Sequence, residues 1–210
     1  MRYTRLWIGG AGISIFILFI LFSFLVHKNM FVGLDFNTTV RLQDHLPRRV
    51  DGPFSFLSDI GKFEVVSVIL LLFWAGYRKL RYIFVLGIYG GFHLIEIFGK
   101  TFVSHLPPPH FMLRTQSIVS FPQFYVSTQN SYPSGHAARA FFLTTILFVL
   151  VWKNKKISQT QKMIILGVLI AYDLIMGTSR IYLGEHWLSD VIGGSLLGLA
   201  CGLLGGVVLF

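Results

Sequence analysis

The chain has 210 residues, of which 54% are hydrophobic and only 13% charged. Soluble domains usually carry about 25% charged residues, so the composition excludes an ordinary soluble globular domain and points to lipid as the solvent. The net charge of +9 reads as a positive-inside signature and not as a nucleic-acid surface, because basic residues cluster in short loops between apolar runs.

In chain order, Arg2 and Arg5 precede an apolar run from Leu6 to Val26. That run is too long for a signal-peptide core, and His27, Lys28 and Asn29 follow it in place of a small-x-small cleavage site, so a retained first span is expected. Further spans are expected at 63–77, 82–99, 137–152, 163–178 and 189–210, close to the length a bilayer requires. The expectation is one all-α polytopic membrane domain over 1–210. It has six transmembrane helices and an interfacial helical segment between spans one and two. Segment 27–62 mixes Lys28, Arg41, Arg48, Arg49 and Lys62 with Asp35, Asp44, Asp51 and Asp59. Its apolar residues suggest one or two amphipathic helices covering a site.

Three acid-free basic segments alternate along the chain: Arg2 and Arg5; Arg78, Lys79 and Arg81; Lys153, Lys155, Lys156 and Lys162. They place both termini in the cytoplasm of a cell (plasma or inner) membrane protein. Segments 27–62, 100–136 and 179–188 then face the extracellular or periplasmic side. Gly194, Gly198, Gly202 and Gly206 form a four-residue stripe in span six, suited to close packing inside the bundle or to a homodimer. Cys201 is the sole cysteine; it allows no intrachain disulfide and no cysteine metal site, and reads as a small lipid-facing or helix-packing residue.

Chemistry concentrates in three clusters on one side of the membrane. They are Lys100 at the end of span three, Tyr132-Pro133-Ser134-Gly135-His136 at the start of span four, and Ser179-Arg180 through His186 to Asp190. Ser134 is a good N-cap. The orphan N–H groups of Gly135 and His136 at that helix end favour an anion, and His136 sits at its edge. His186 and Asp190, four apart, share a helix face. A carboxylate behind a histidine fixes its tautomer and suits a nucleophile or a base. Lys100 and Arg180 supply fixed positive charge for phosphate oxygens.

Lys100, the run Pro133-Ser134-Gly135-His136, and Ser179-Arg180-x5-His186-x3-Asp190 together resemble the three signature motifs of the type-2 phosphatidic acid phosphatase family. The resemblance covers roughly 82–210. It implies a metal-independent lipid phosphatase with a six-helix core and no cofactor. By that resemblance His186 attacks phosphorus and becomes a phosphohistidine, Asp190 orients and charges it, and His136 protonates the leaving oxygen. Lys100, Ser134, Gly135 and Arg180 hold the phosphate, and water hydrolyses the phosphoenzyme. Cations and helix amides are adequate for phosphoryl transfer, which is mainly positioning and charge stabilisation.

The sequence departs from the family at one place. The first motif is a lysine, six residues, then Arg-Pro; here Lys100 leads to Pro107-Pro108. Arg139, on the face of His136, and Arg114, in the intervening loop, are the candidate replacements. The alternative for Arg139 is pairing with an acid such as Glu185 or Asp190; for Arg114 it is a solvated loop charge. His105 is a weaker third choice, because a neutral imidazole brings no charge.

Glu96 and Lys100 have ion-pair spacing, Asp173 and Arg180 share a face, and structural pairing is expected for both acids. His93 reads as a packed or hydrogen-bonded residue, and a zinc site from His93, His105 and His110 fits no common spacing. Trp187 is expected as an interfacial anchor, and Phe111 and Met112 as possible lipid-chain contacts. The expected partners are membrane lipids and a lipid phosphate or pyrophosphate of the undecaprenyl pyrophosphate, phosphatidic acid or phosphatidylglycerol phosphate type. The alternatives are a lipid phosphotransferase and a catalytically silent lipid-binding relative. A soluble haloperoxidase with similar motifs is excluded by composition.

Overall fold

A chain dissolved in lipid must satisfy its backbone internally, which helices do. In the computed structural model, which describes residues 2–116 and 129–209, the main elements are eight α-helices. They are α1 (Arg2–His27), α2 (Val32–His45), α3 (Asp51–Ile60), α4 (Phe63–Tyr77), α5 (Leu80–Phe102), α6 (Gly135–Lys153), α7 (Gln159–Tyr182) and α8 (Leu188–Leu209). Five are long and apolar enough to cross a membrane: α1 from Tyr3, α5, α6, α7 and α8. The expected second span, α4, has only 15 residues, about 22 Å of helix. It is shorter than the other five and starts directly beyond α3. Trp7, Leu21, Leu72, Leu94, Ile164 and Val168 are exposed, as expected of side chains facing acyl tails.

Local chemistry sets the ends. Ser158 and Gln161 form a capping box that starts α7. The prolines from Pro107 to Pro109 follow α5 closely, consistent with a stop there. Asp190 accepts from the Trp187 N–H at 3.0 Å, satisfying an orphan donor at the start of α8. The end of α7 is a Schellman turn: the Gly184 N–H reaches the Ile181 carbonyl and the Glu185 N–H reaches that of Arg180. Gly184 has φ +70°, and a Cβ there would lie 2.2 Å from the Met112 carbonyl oxygen.

The glycine stripe of α8 lies against α6. A Cβ on Gly194 or Gly198 would meet the carbonyl oxygens of Ser134 or Ala138 within 2.3 Å, so backbone packs on backbone. Cys201 is buried in the same core.

Helices α2 and α3 cover one end of the bundle with their polar side inward. Asp35, Thr39, Asp51, Ser55 and Ser58 are buried, while Val32, Leu34, Phe36 and Phe56 are exposed. This reversal suits an element lying between a polar site and lipid. Residues 117–128, in the expected 100–136 segment, lie outside the described residues.

Candidate active site

The C-terminal ends of α5 and α7 and the N-terminal ends of α6 and α8 meet at the end covered by α2 and α3. Each element brings one piece of chemistry. His186 follows the Schellman turn, and its own N–H bonds the Arg180 carbonyl at 3.2 Å, so the turn holds the two residues together. His186 Nδ1 lies 3.4 Å from Asp190 Oδ2. The His186 side chain is 12% exposed and that of Asp190 is fully buried, which leaves the imidazole as the reachable member of the pair. Burial lowers the His186 pKa, and the hydrogen bond and charge of Asp190 oppose that shift. His136, in the first turn of α6, lies within electrostatic reach of His186, Arg180, Arg139 and Lys100.

Ser134 occupies the N-cap position of α6, as expected, but makes no side-chain capping bond. Its hydroxyl is buried and has no hydrogen-bond partner among the described residues. Its backbone N–H donates instead to the Asp190 carbonyl at 3.0 Å, which docks α6 onto α8. A Cβ on Gly135 would lie 2.1 Å from a Glu96 oxygen, so this helix end is glycine because a carboxylate crosses it.

The cations come with acids. Lys100 Nζ is 2.9 Å from Glu96 Oε1, the pair that the spacing predicts. Arg139 donates from one guanidinium nitrogen to Glu96 Oε2 at 3.1 Å and from Nε to the Gly61 carbonyl at 2.8 Å. The acid that pairs with Arg139 is therefore Glu96, not Glu185 or Asp190: the two latter carboxylates are already engaged on the turn before α8. Arg180 is buried and bonds Ser58 of α3 and Glu185. Arg114 sits at the rim, over the Tyr182 ring and 3.1 Å from its hydroxyl. It is a tethered loop charge, not a freely solvated one.

Asp173 departs from the expected pairing. It accepts from the Thr144 hydroxyl at 2.8 Å, and no ion pair with Arg180 is formed among the described residues. A neutral donor is the nearer partner because α7 presents Arg180 to α3 and the site, and Asp173 to α6. His93 is packed against Phe63, Tyr89 and Phe92 and bonds Glu96 at 3.1 Å. Among the described residues no group of three His, Cys, Asp or Glu side chains forms a metal-holding cluster, so His93, His105 and His110 do not converge. Trp187 ties the turn inward, its indole N–H donating to the Leu106 carbonyl at 2.7 Å. Met112 is buried and Phe111 is 80% exposed.

Sequence reasoning undervalued His105. It is buried, with Nδ1 2.8 Å from Asp190 Oδ1 and Nε2 3.5 Å from Asp35 Oδ2. Burial lowers its pKa, but hydrogen bonds and charge from Asp190 and Asp35 outweigh this and push it up to about 9. It is thus a cation near neutral pH, contrary to the expectation of a neutral ring. Asp35 and Ser58 were also missed. Both act across more than a hundred residues of sequence, where no local spacing signals a contact.

The family model described as the PAP2 superfamily matches residues 78–208. The chain belongs to the PAP2 superfamily. Within it, the chain is 26% identical over 196 residues to phosphatidylglycerophosphatase B of Bacillus subtilis, covering 89% of both chains. It is 33% identical over 152 residues to an undecaprenyl-diphosphatase of Sulfolobus acidocaldarius, covering 71% of this chain and 66% of that one. The crystal structure of a transmembrane PAP2-type phosphatidylglycerolphosphate phosphatase from Bacillus subtilis superposes with TM-score 0.76 at 20% identity, over 92% of this chain and 93% of that one. The structure of Aquifex aeolicus LpxE gives TM-score 0.61 at 25% identity, over 82% and 94%. This PAP2 protein is a multi-pass membrane phosphatase of a lipid phosphatase family.

Proposed function

We propose that the protein hydrolyses a lipid phosphate or lipid pyrophosphate through a phosphohistidine on His186, at the membrane face opposite its basic loops. The observation that carries this reading is the pairing of a reachable imidazole with a buried carboxylate, beside a helix N-terminus and two cations. His186 turns Nδ1 to Asp190, so Nδ1–H donates and Nε2 carries the lone pair that attacks phosphorus. The depressed pKa keeps that nitrogen unprotonated near neutral pH. As the P–N bond forms, the imidazole gains positive charge, which the Asp190 carboxylate stabilises. The bond from phosphorus to the leaving oxygen breaks, and His136 gives that oxygen its proton. Water then attacks phosphorus and gives its proton to His136, and the P–N bond breaks, releasing inorganic phosphate and restoring both histidines.

Lys100, Arg180, Ser134 and the first amides of α6 form the proposed phosphate cradle. The buried, unpartnered Ser134 hydroxyl supports it, because such groups are normally satisfied and a phosphate oxygen would do so. Arg139 is the proposed replacement for the missing arginine of the first motif. It shares Glu96 with Lys100, whereas Arg114 is held on Tyr182. The relatives named as a phosphatidylglycerophosphatase and an undecaprenyl-diphosphatase favour polar lipid mono- or diphosphates as substrates.

A phosphate-release screen of purified protein in detergent, across phosphatidylglycerol phosphate, phosphatidic acid and undecaprenyl pyrophosphate, tests the reaction. Release that is absent in His186→Ala is the expected result. Label appearing only on a second lipid would instead indicate a phosphotransferase. Sidedness is tested with Arg49→Cys and Asn154→Cys in a Cys201→Ser background: impermeant reagent should reach only position 49 in intact cells.

A further inference from the structure

Two carboxylates, Asp35 and Asp190, are both almost wholly buried at the end of the bundle where the nucleophile sits. A buried charge demands a partner, and the side chain between them is His105. It reaches Asp190 Oδ1 at 2.8 Å through Nδ1 and Asp35 Oδ2 at 3.5 Å through Nε2. Asp190 then presents its other oxygen, Oδ2, to His186 and to the Trp187 N–H. The four side chains form one line from α2 to the reachable imidazole: Asp35, His105, Asp190, His186.

Each link in that line is braced. Asp35 accepts the Ser189 N–H and the Ser189 hydroxyl, both at 2.8 Å, which fixes its carboxylate at the start of α8. The His105 backbone is held on both sides: its N–H donates to Asn130 Oδ1 at 3.1 Å, and its carbonyl accepts from the Ser131 N–H at 2.9 Å. A ring held at both nitrogens by acids cannot turn without losing its contact with both buried carboxylates at once.

We propose that His105, held by Asp35, is a positioning residue for the nucleophile: it locks the Asp190 carboxylate so that Oδ2 faces His186. The proposal rests on the reading of His186 and Asp190 as nucleophile and partner. Its chemical consequence concerns the proton on His186 Nδ1. As the imidazole gains positive charge during attack, Asp190 can either stabilise it or take the proton. A cation on the opposite oxygen holds Asp190 as an anion and makes it the weaker base, so the proton stays on His186. His105 touches neither phosphate nor leaving group in this scheme. The charged groups that face it are Asp35 from α2 and Asp190 from α8.

The test uses full-length protein in detergent with a short-chain lipid phosphate. His105→Gln should lower kcat/KM by about tenfold or more, the usual scale for partners that orient a reacting side chain. The inhibition constant of inorganic phosphate, which reads the cation cradle, should stay within about twofold, whereas a general distortion of the site would move both. Asp35→Asn should lower kcat/KM several-fold in the wild-type background and by less than about twofold once His105 is Gln, since groups in one line are not additive. A folded His105→Gln protein with near wild-type kcat/KM overturns the proposal. So does an Asp35→Asn effect that is undiminished in the double variant. Where His105→Gln does not fold, Asp35→Asn alone decides by the same split between kcat/KM and phosphate inhibition. Wild-type activity that survives His186→Ala would sink the underlying reading as well. Activity lost in His186→Ala but retained in His105→Gln sinks this inference alone.

Discussion

The two halves of the site treat buried charge in opposite ways. In the half around His186, the proposed nucleophile, a histidine stands between two carboxylates, one of which also faces His186. In the cation half, Lys100 and Arg139 share Glu96, and Arg180 meets Glu185. Each cation is therefore already partnered before a phosphate arrives. The first half is built to be rigid, because its members bond one another and need no ligand. On the proposed reading the second exchanges partners, because a phosphate bound there would share or displace the acids. Disturbing the first should therefore change turnover, and disturbing the second should change affinity.

The largest effect is expected at His186, the proposed nucleophile. His186→Ala should lower turnover by at least about a thousandfold with the fold intact, as loss of a covalent catalyst does. Asp190→Asn should retain more rate than that. Its acid limb gives a sharper reading. Burial lowers the His186 pKa and Asp190 raises it, so removing the carboxylate charge lowers it further. The acid limb of kcat/KM should move to lower pH in Asp190→Asn while the plateau falls. A limb that moves to higher pH would contradict the assignment of His186 as the titrating group.

The cation half gives the next effect. Arg139→Ala should reduce kcat/KM by roughly 2–4 kcal/mol, mainly through a higher KM, the scale of removing one buried charged partner of a bound anion. Arg114→Ala should change it by well under 1 kcal/mol, because a rim charge tethered to a ring contributes little. Both are measured side by side in folded protein. Equal, near wild-type rates would mean that no arginine has replaced the one missing beside Pro107.

What the sequence could reveal follows the same division. Contacts made within one helix or one turn were legible. The Glu96–Lys100 and His186–Asp190 pairs follow from four-residue spacing. The glycine stripe marked where α8 meets its neighbour, though not that the neighbour is α6. The apolar residues and the length of 27–62 hinted at a cover. Contacts between distant segments were not legible. Asp35 meets Ser189 across 154 residues, and His105 meets Asp190 across 85. The charge of His105 was misjudged for the same reason, since an isolated histidine has no visible partner in sequence. Ser134 has the residue type and position of a cap yet makes no capping bond. Propensity speaks for the position, while the use of the hydroxyl depends on the rest of the site.

The smallest effect concerns Glu185, which lies between the two halves. It follows Gly184 in the turn, precedes His186, and bonds both Arg180 and the Thr115 hydroxyl. Its side chain is 24% exposed, so its pair with Arg180 is only partly screened from solvent. A phosphate that binds Arg180 competes with this carboxylate and is repelled by it. Glu185→Gln keeps the shape and removes that charge. KM for a lipid phosphate should fall by about two- to fivefold, corresponding to the roughly 0.5–1 kcal/mol of a partly exposed ion pair, with kcat nearly unchanged. The inhibition constant of inorganic phosphate should fall in parallel, since the effect is on phosphate and not on the lipid chain. If Glu185 instead holds Arg180 in its working direction, as Asp190 does for His186, both constants would rise. In that case the cation half would be as preorganised as the nucleophile half, and the contrast between them would fail.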